Sequence, residues 1–265
     1  MECNPDRKRR LKQNILIVVA GCLLLMATSS CGGEPWSYIA DPIDGRVLDK
    51  ETGQPIESVV VVAEWILATP PEGDEKDFWV LIEAVTDNEG RYHIPGWGPK
   101  TRPWSRWLKD NDPALIVFKP GYWLEATGNG DPYMLTGTNP RGTRVRKSYW
   151  NGKDFRLAPF RLGQEIEQRK VYESAYMSAD DKSKKILMTE EKWAEQISNV
   201  QMHVGWGLWH SSPKDWESDE WLKIPNLIKM VYQECIKLDP RLRYRVSSMP
   251  EKYRKMILGD TSSCL

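Results

Sequence analysis

Between Asp44 and Pro95 the apolar positions fall into short runs separated by turn residues, which is the pattern of strands. Gly45-Arg46-Val47-Leu48-Asp49 leads into Lys50-Glu51-Thr52-Gly53-Gln54-Pro55-Ile56, punctuated by Gly and Pro, and then into the β-branched run from Val59 to Leu67. This predicts two strands and a tight connection. A third run, Trp79 to Thr86, meets Arg91-Tyr92-His93-Ile94 across Asp87-Asn88-Glu89-Gly90. There Asp and Asn favour turn conformations and Gly accepts a positive φ, so a hairpin is predicted. Ala114 to Lys119 reads as a buried strand turned by Pro120-Gly121 into Tyr122 to Ala126, and Lys153 to Ala158 closes the set. Seven strands are enough for a complete small sandwich. The segments Gly96 to Trp107 and Thr127 to Asn151 carry too much Gly, Pro and Asn for strands and show no helical period, so both are predicted as loops.

The order Gly-x-Val-x-Asp-x-x-Thr-Gly-x-Pro-Ile from Gly45, a valine run, and Val-Thr-Asp-x-x-Gly-x-Tyr-x-Ile-Pro from Val85 resembles the carboxypeptidase regulatory-like domain. That resemblance implies a transthyretin-like β-sandwich over residues 43–159. It implies little about function, because the module accompanies peptidases, receptors and surface proteins alike.

After Pro159 the period changes to that of helices, over Leu162 to Met177, Thr189 to Val200, Pro225 to Leu238 and Met249 to Leu258. Leu227, Ile228, Val231, Cys235 and Leu238 share one face, and Pro225 suits a first helical turn. The expected fold class is therefore a mainly β N-terminal half, a seven-stranded sandwich, with an α-helical C-terminal half over 160–265.

The first 31 residues read as an export signal. Arg7 to Arg10 and Lys12 form a basic segment, Ile15 to Ala27 an apolar one, and small residues then lead to a cysteine. Thr28-Ser29-Ser30-Cys31-Gly32 looks like a bacterial lipoprotein cleavage site, with lipid on Cys31 and residues 32–42 as a tether. Val19-Ala20-Gly21-Cys22 is closer to the ideal wording, but cleavage at Cys22 would leave a very short apolar segment and put Leu23 to Met26 at the new N-terminus. An uncleaved anchor is the other reading. The expected location is the bacterial cell envelope, and Gly32 after the cysteine is the pattern compatible with an outer membrane.

The full chain carries 37 basic and 37 acidic residues, and 32 and 35 once the charged residues of the first 31 are removed. That balance gives no reason to expect a nucleic-acid partner. Of the five cysteines, Cys235 and Cys264 lie beyond the export segment, and in an oxidising envelope they could pair; two free thiols are the other reading.

No catalytic motif is present: there is no Gly-x-Ser-x-Gly, no Gly-rich phosphate loop ending in Gly-Lys-Ser/Thr, and no zinc-ligand spacing around His203 and His210. No cofactor and no metal are expected. His93, alternating with Tyr92 and Ile94, should face solvent, and Asp87, Asn88 and Glu89 read as turn residues rather than a calcium loop. Glu64 and Glu83 interrupt two apolar strands and could pair as carboxylates. They support one alternative, an envelope hydrolase working between sandwich and helices with His203 or His210; a purely structural spacer is another.

The strand order also predicts where the connections lie. In an up-and-down arrangement the tight turns at Thr52-Gly53, Asn88-Glu89-Gly90 and Pro120-Gly121 share one end of the sandwich. The long connections Ala68 to Asp77, Gly96 to Pro113 and Thr127 to Asn151 share the other. The first is acidic, and the other two gather Trp97, Arg102, Trp104, Arg106, Trp107, Tyr133, Arg141, Arg144, Arg146, Tyr149 and Trp150. Clustered loops of this composition suit binding, and the same residues equally suit stapling the loops to the sandwich. The sequence thus points to a lipid-anchored, non-catalytic binding or scaffolding protein with an envelope protein or glycan as partner, and not to an enzyme.

Overall fold

The computed structural model describes residues 35–68, 77–129, 138–140, 142–160, 193–200, 222–238 and 255. Strands are β1 (Ser37–Ala40), β2 (Ile43–Asp49), β3 (Val60–Ala68), β4 (Asp77–Val85), β5 (Arg91–Ile94), β6 (Trp97–Thr101), β7 (Trp107–Leu108), β8 (Ala114–Phe118), β9 (Glu125–Thr127), β10 (Val145–Arg146) and β11 (Asp154–Leu157). Residues 193–200 are helical (α1), and α2 spans Pro225–Lys237. The fold is a β-sandwich. One layer has the order β4-β3-β8-β9, with β7 on the end of β3. The other is built in two tiers with matching order, β10-β1-β6 above β11-β2-β5. β1 runs on into β2 past Pro42, and β5 into β6 past Pro95.

Each of the seven segments anticipated from the sequence contains a strand, and four strands were not anticipated. β6 falls in the segment predicted as a loop, and its partner β1 falls in the segment read as a tether. Pro99 is tolerated because β6 is the outer strand of its sheet, where a missing N–H need not break a ladder. The register shifts between Tyr38 and Ala40. Gly98 meets that irregularity at φ +110°, where a Cβ would stand 2.7 Å from the Tyr38 carbonyl.

β3 is the centre of the molecule because its two faces are both covered. Val61, Ala63, Trp65 and Leu67 point into the sandwich with Tyr38, Ile43, Val47, Ile94, Leu115, Val117, Phe155 and Leu157. Val60 and Val62, with Phe78, Leu81, Ile116 and Phe118, form the opposite face, which packs against Ala194, Ile197 and Val200 of α1 and Leu227, Ile228 and Val231 of α2. A continuous apolar run is what a strand buried on both sides requires, and each such side chain contributes about 1.5–3 kcal/mol by leaving water. The face anticipated for α2 is the one that is buried, Cys235 and Leu238 included. Cys235 is disulfide-bonded; Cys264 lies outside the described residues, as do the segments expected to be helical at 162–177 and most of 249–258.

α2 begins with Pro225 at its first position, but Ile224 before it offers no side-chain cap. Glu83 of β4 supplies one instead, its Oε2 accepting the Leu227 N–H at 2.7 Å and its Oε1 accepting the Asn226 N–H at 3.1 Å and side-chain amide at 2.8 Å. Glu234 of α2 accepts the Trp193 indole N–H at 3.1 Å and the Lys237 ammonium at 2.6 Å, joining the two helices.

Candidate functional site at the loop end

The three tight turns do gather at one end. Asp49 folds the first turn by accepting the N–H groups of Glu51 and Thr52, each at 2.8 Å, and it accepts the Tyr122 hydroxyl from the third at 3.1 Å. The second turn is joined by the Val47 N–H, which donates to the Gly90 carbonyl at 2.8 Å. Asp87 accepts the N–H groups of Glu89 and Arg91, as a turn residue does, and His93 is exposed with its ring 2.7 Å from Asp44.

At the other end the described residues of the connections 96–113 and 127–151 come together on a buried polar network. The side-chain amides of Asn129 and Asn139 both donate to the backbone carbonyls of Asp112 and Lys147, at 2.6–2.9 Å. Asn139 also accepts the Lys147 N–H at 2.8 Å, and Asn129 accepts that of Tyr149. Asp112 itself accepts the Lys109 N–H at 3.0 Å. Burial pushes its carboxyl up to about 7, against the opposing pull of the Arg146 charge and of the N–H groups of Lys109 and Ile66.

The anticipated aromatic and basic residues divide into three groups. Arg146 is interior and Trp97 is half-buried against the core. Arg146 is buried, donates to the Lys109 carbonyl and lies 5.7 Å from the Tyr38 ring; Trp97 packs edge-on against Trp65 and Trp79, with centroids at 5.4 and 5.3 Å. A second group lies along β11: Trp150 stacks on Phe155 at 4.8 Å and donates its indole N–H to Gly128, while the Lys153 ammonium sits 2.9 Å from the Tyr149 ring centre. Trp107, half-buried, pairs with Ala68 at the end of β3.

The third group is at the surface, around Arg102. Its Nε donates to the Pro35 carbonyl at 2.7 Å, and its Nη1 donates to the carbonyls of Pro103, Trp104 and Arg106 at 3.1, 2.8 and 2.6 Å. The guanidinium lies 5.2 Å from the Trp36 ring. Trp36 is 64% exposed and Trp104 80%. Arg144 is exposed just before β10. Tyr133, Arg141 and the acidic connection 69–76 lie outside the described residues, as do Cys22 and Cys31.

Trp36, Asp112, Asn129 and Asn139 were not singled out from the sequence. Trp36 stood in the segment read as tether, and the two asparagines sit among Gly and Pro, where they read as turn residues.

The carboxylate pair envisaged for a hydrolase does not take that form. Val62 opposes Glu83, and Glu64 opposes Leu81, so Glu64 and Glu83 are diagonal neighbours on the helix-facing side of the sheet. Glu83 is engaged in capping α2, and Glu64 is buried beneath the helices. His203 and His210 lie outside the described residues. Among the described residues no group of three or more His, Cys, Asp or Glu side chains could hold a metal ion, and no helix is long and apolar enough to cross a membrane.

No family model matches the chain. No curated protein matches it either. Among solved structures it is similar to a 3-chlorocatechol 1,2-dioxygenase from Rhodococcus opacus, at 15% identity and a TM-score of 0.28, over 48% of this chain and 62% of that one. A chlorocatechol 1,2-dioxygenase from Pseudomonas putida follows at 13% identity and a TM-score of 0.26, over 46% and 60%, and a catechol 1,2-dioxygenase from Acinetobacter at 18% and 0.26, over 48% and 55%. The match thus spans about three-fifths of the length of these chains. These neighbours overturn the sequence-based expectation of a non-catalytic binding or scaffolding protein that is not an enzyme, and that expectation is withdrawn. A likeness of this degree transfers no activity, substrate or cofactor to this chain.

Proposed function

We propose that the chain is an exported bacterial envelope protein carried on a membrane by lipid at Cys31, with Cys22 as the alternative, and that its sandwich is of the carboxypeptidase regulatory-like, transthyretin-like type. The function so defined is positional. The sandwich is mounted with its loop end toward the membrane and its three tight turns directed away from it, and α1 and α2 cover the β4-β3-β8-β9 layer.

The observation that carries this reading is the grip of Arg102 on the Pro35 carbonyl. It fixes the point where the chain joins the sandwich at the loop end, four residues after Cys31, a span of at most about 14 Å. A tether that short leaves the domain little choice of orientation. The strands β2, β3, β4 and β5, which carry the family motifs, support the choice of module, and Asp49, Thr86 and Gly90 support it locally. The Thr86 hydroxyl donates to the Ile56 carbonyl and accepts the Val59 N–H inside the sandwich, so the Thr of the motif has a structural task. Gly90 adopts φ +70°, and a Cβ there would stand 2.5 Å from the Val47 carbonyl.

Metabolic labelling with a lipid precursor tests the anchor. Labelled protein in the wild type and none in Cys31→Ser is the expected result. Label kept by Cys31→Ser and lost in Cys22→Ser would move the anchor to Cys22, and label in neither protein would end the reading.

A further inference from the structure

We infer that Trp36, Arg102 and Trp104 form a membrane-contact patch that seats in the headgroup layer of the membrane bearing the anchor, with anionic lipid as its preferred partner. The inference rests on the lipid anchor proposed above and adds to it a surface and a lipid chemistry.

Three independent features converge on this patch. The first is exposure: Trp104 is 80% and Trp36 64% exposed, the largest values among the exposed bulky apolar side chains of the described residues. An indole is an amphipathic ring suited to the water–lipid boundary, where its apolar body and N–H are both satisfied. The second is order. Arg102 holds the carbonyls of Pro35, Pro103, Trp104 and Arg106 in one fan and lies beneath Trp36, and its own N–H donates to the Trp36 carbonyl at 3.0 Å. Both tryptophans are therefore presented from a fixed backbone. The third is charge: from Trp97 to Lys109 the chain carries Lys100, Arg102, Arg106 and Lys109 and no acidic residue, whereas the exported part as a whole has a slight acidic excess. Basic side chains in the segment that bears the exposed Trp104 indole complement anionic headgroups.

Reach decides which occupant fits. Trp36 is five residues from Cys31, so the patch lies within about 18 Å of the lipid-bearing residue even if the chain between them is extended. No other exposed aromatic group of the described residues is tied so closely to the anchor.

The test uses the full lipidated protein reconstituted into vesicles of neutral and anionic phospholipid, some brominated near the headgroup end of the acyl chains. Wild type should float with the vesicles and show lipid-quenchable tryptophan emission that rises with the anionic fraction. Trp36→Phe/Trp104→Phe should still float and lose most of that quenchable emission. Trp104→Phe alone, at a position too exposed to matter for folding, should lose part of it. Equal quenching in wild type and both variants, with flotation intact, would overturn the patch and leave the anchor standing. Failure of the wild type to float would overturn the anchor and the patch together. A concentration-dependent dimer in vesicle-free detergent that Trp104→Phe abolishes would assign the surface to a second copy of the chain and overturn the inference.

Discussion

Glu83 of β4 accepts the backbone N–H of Leu227 at 2.7 Å, and so a residue of the sandwich forms the cap of a helix 144 positions later. The N-terminus of a helix leaves unpaired N–H groups and a positive dipole end, and a carboxylate satisfies both. Glu83→Ala should destabilise the protein by about 1–2 kcal/mol in denaturant unfolding, the usual cost of a lost cap. The N–H groups of Asn226 and Leu227 should lose protection from hydrogen exchange before those of β3. Unchanged stability and unchanged exchange at these amides would show that the cap contributes nothing.

Asp112 makes stability depend on pH in a definite direction. Its folded carboxyl titrates at about 7, against about 3.9 for an unfolded aspartate. Between those values the folded protein binds the extra proton. Stability is therefore greatest below about pH 4 as far as this group is concerned, and is lost as pH rises through about 7. In Asp112→Asn the fall in unfolding free energy between pH 5 and 8 should shrink relative to wild type. A wild-type profile that is flat or rises over this interval, with no difference in the variant, would contradict it.

Cys235 is disulfide-bonded on the buried face of α2, and we propose Cys264 as its partner. Cys264→Ser should then convert Cys235 into a thiol that alkylates in the denatured, unreduced protein. It should also lower stability by about 2–4 kcal/mol. No new thiol in Cys264→Ser would place the bond elsewhere.

The legible part of this fold was the part written in local pattern. The β-branched run from Val59 announced a strand, and β3 stands there; Leu227, Ile228 and Val231 announced the buried face of α2 by their spacing. β1 was illegible because Ser37–Ala40 is only four residues long and lies between Pro35 and Pro42. It becomes a strand through pairing with β6 and β10, distant in sequence and themselves short. The loop end was legible as a cluster of connections, but the division of its residues between surface and interior was not. Arg146 looked like a surface binder and is interior, because a polar tip can be satisfied by backbone carbonyls, and Trp97 is half-buried because its ring packs on other rings. The roles of Asn129 and Asn139 were illegible because a buried asparagine and a turn asparagine look alike in sequence. Glu83 reads in sequence as half of a carboxylate pair, because the helix it caps lies 144 positions further along the chain.

The central claim is that the exported chain begins at a lipid-bearing Cys31, which is what ties the loop end to the membrane. Mass spectrometry of the tryptic peptides of the membrane-extracted protein tests it most directly. The account predicts an N-terminal peptide running from Cys31 to Arg46 that carries the mass of attached lipid. An unmodified peptide running from Gln13 through Cys31 to Arg46 would contradict it.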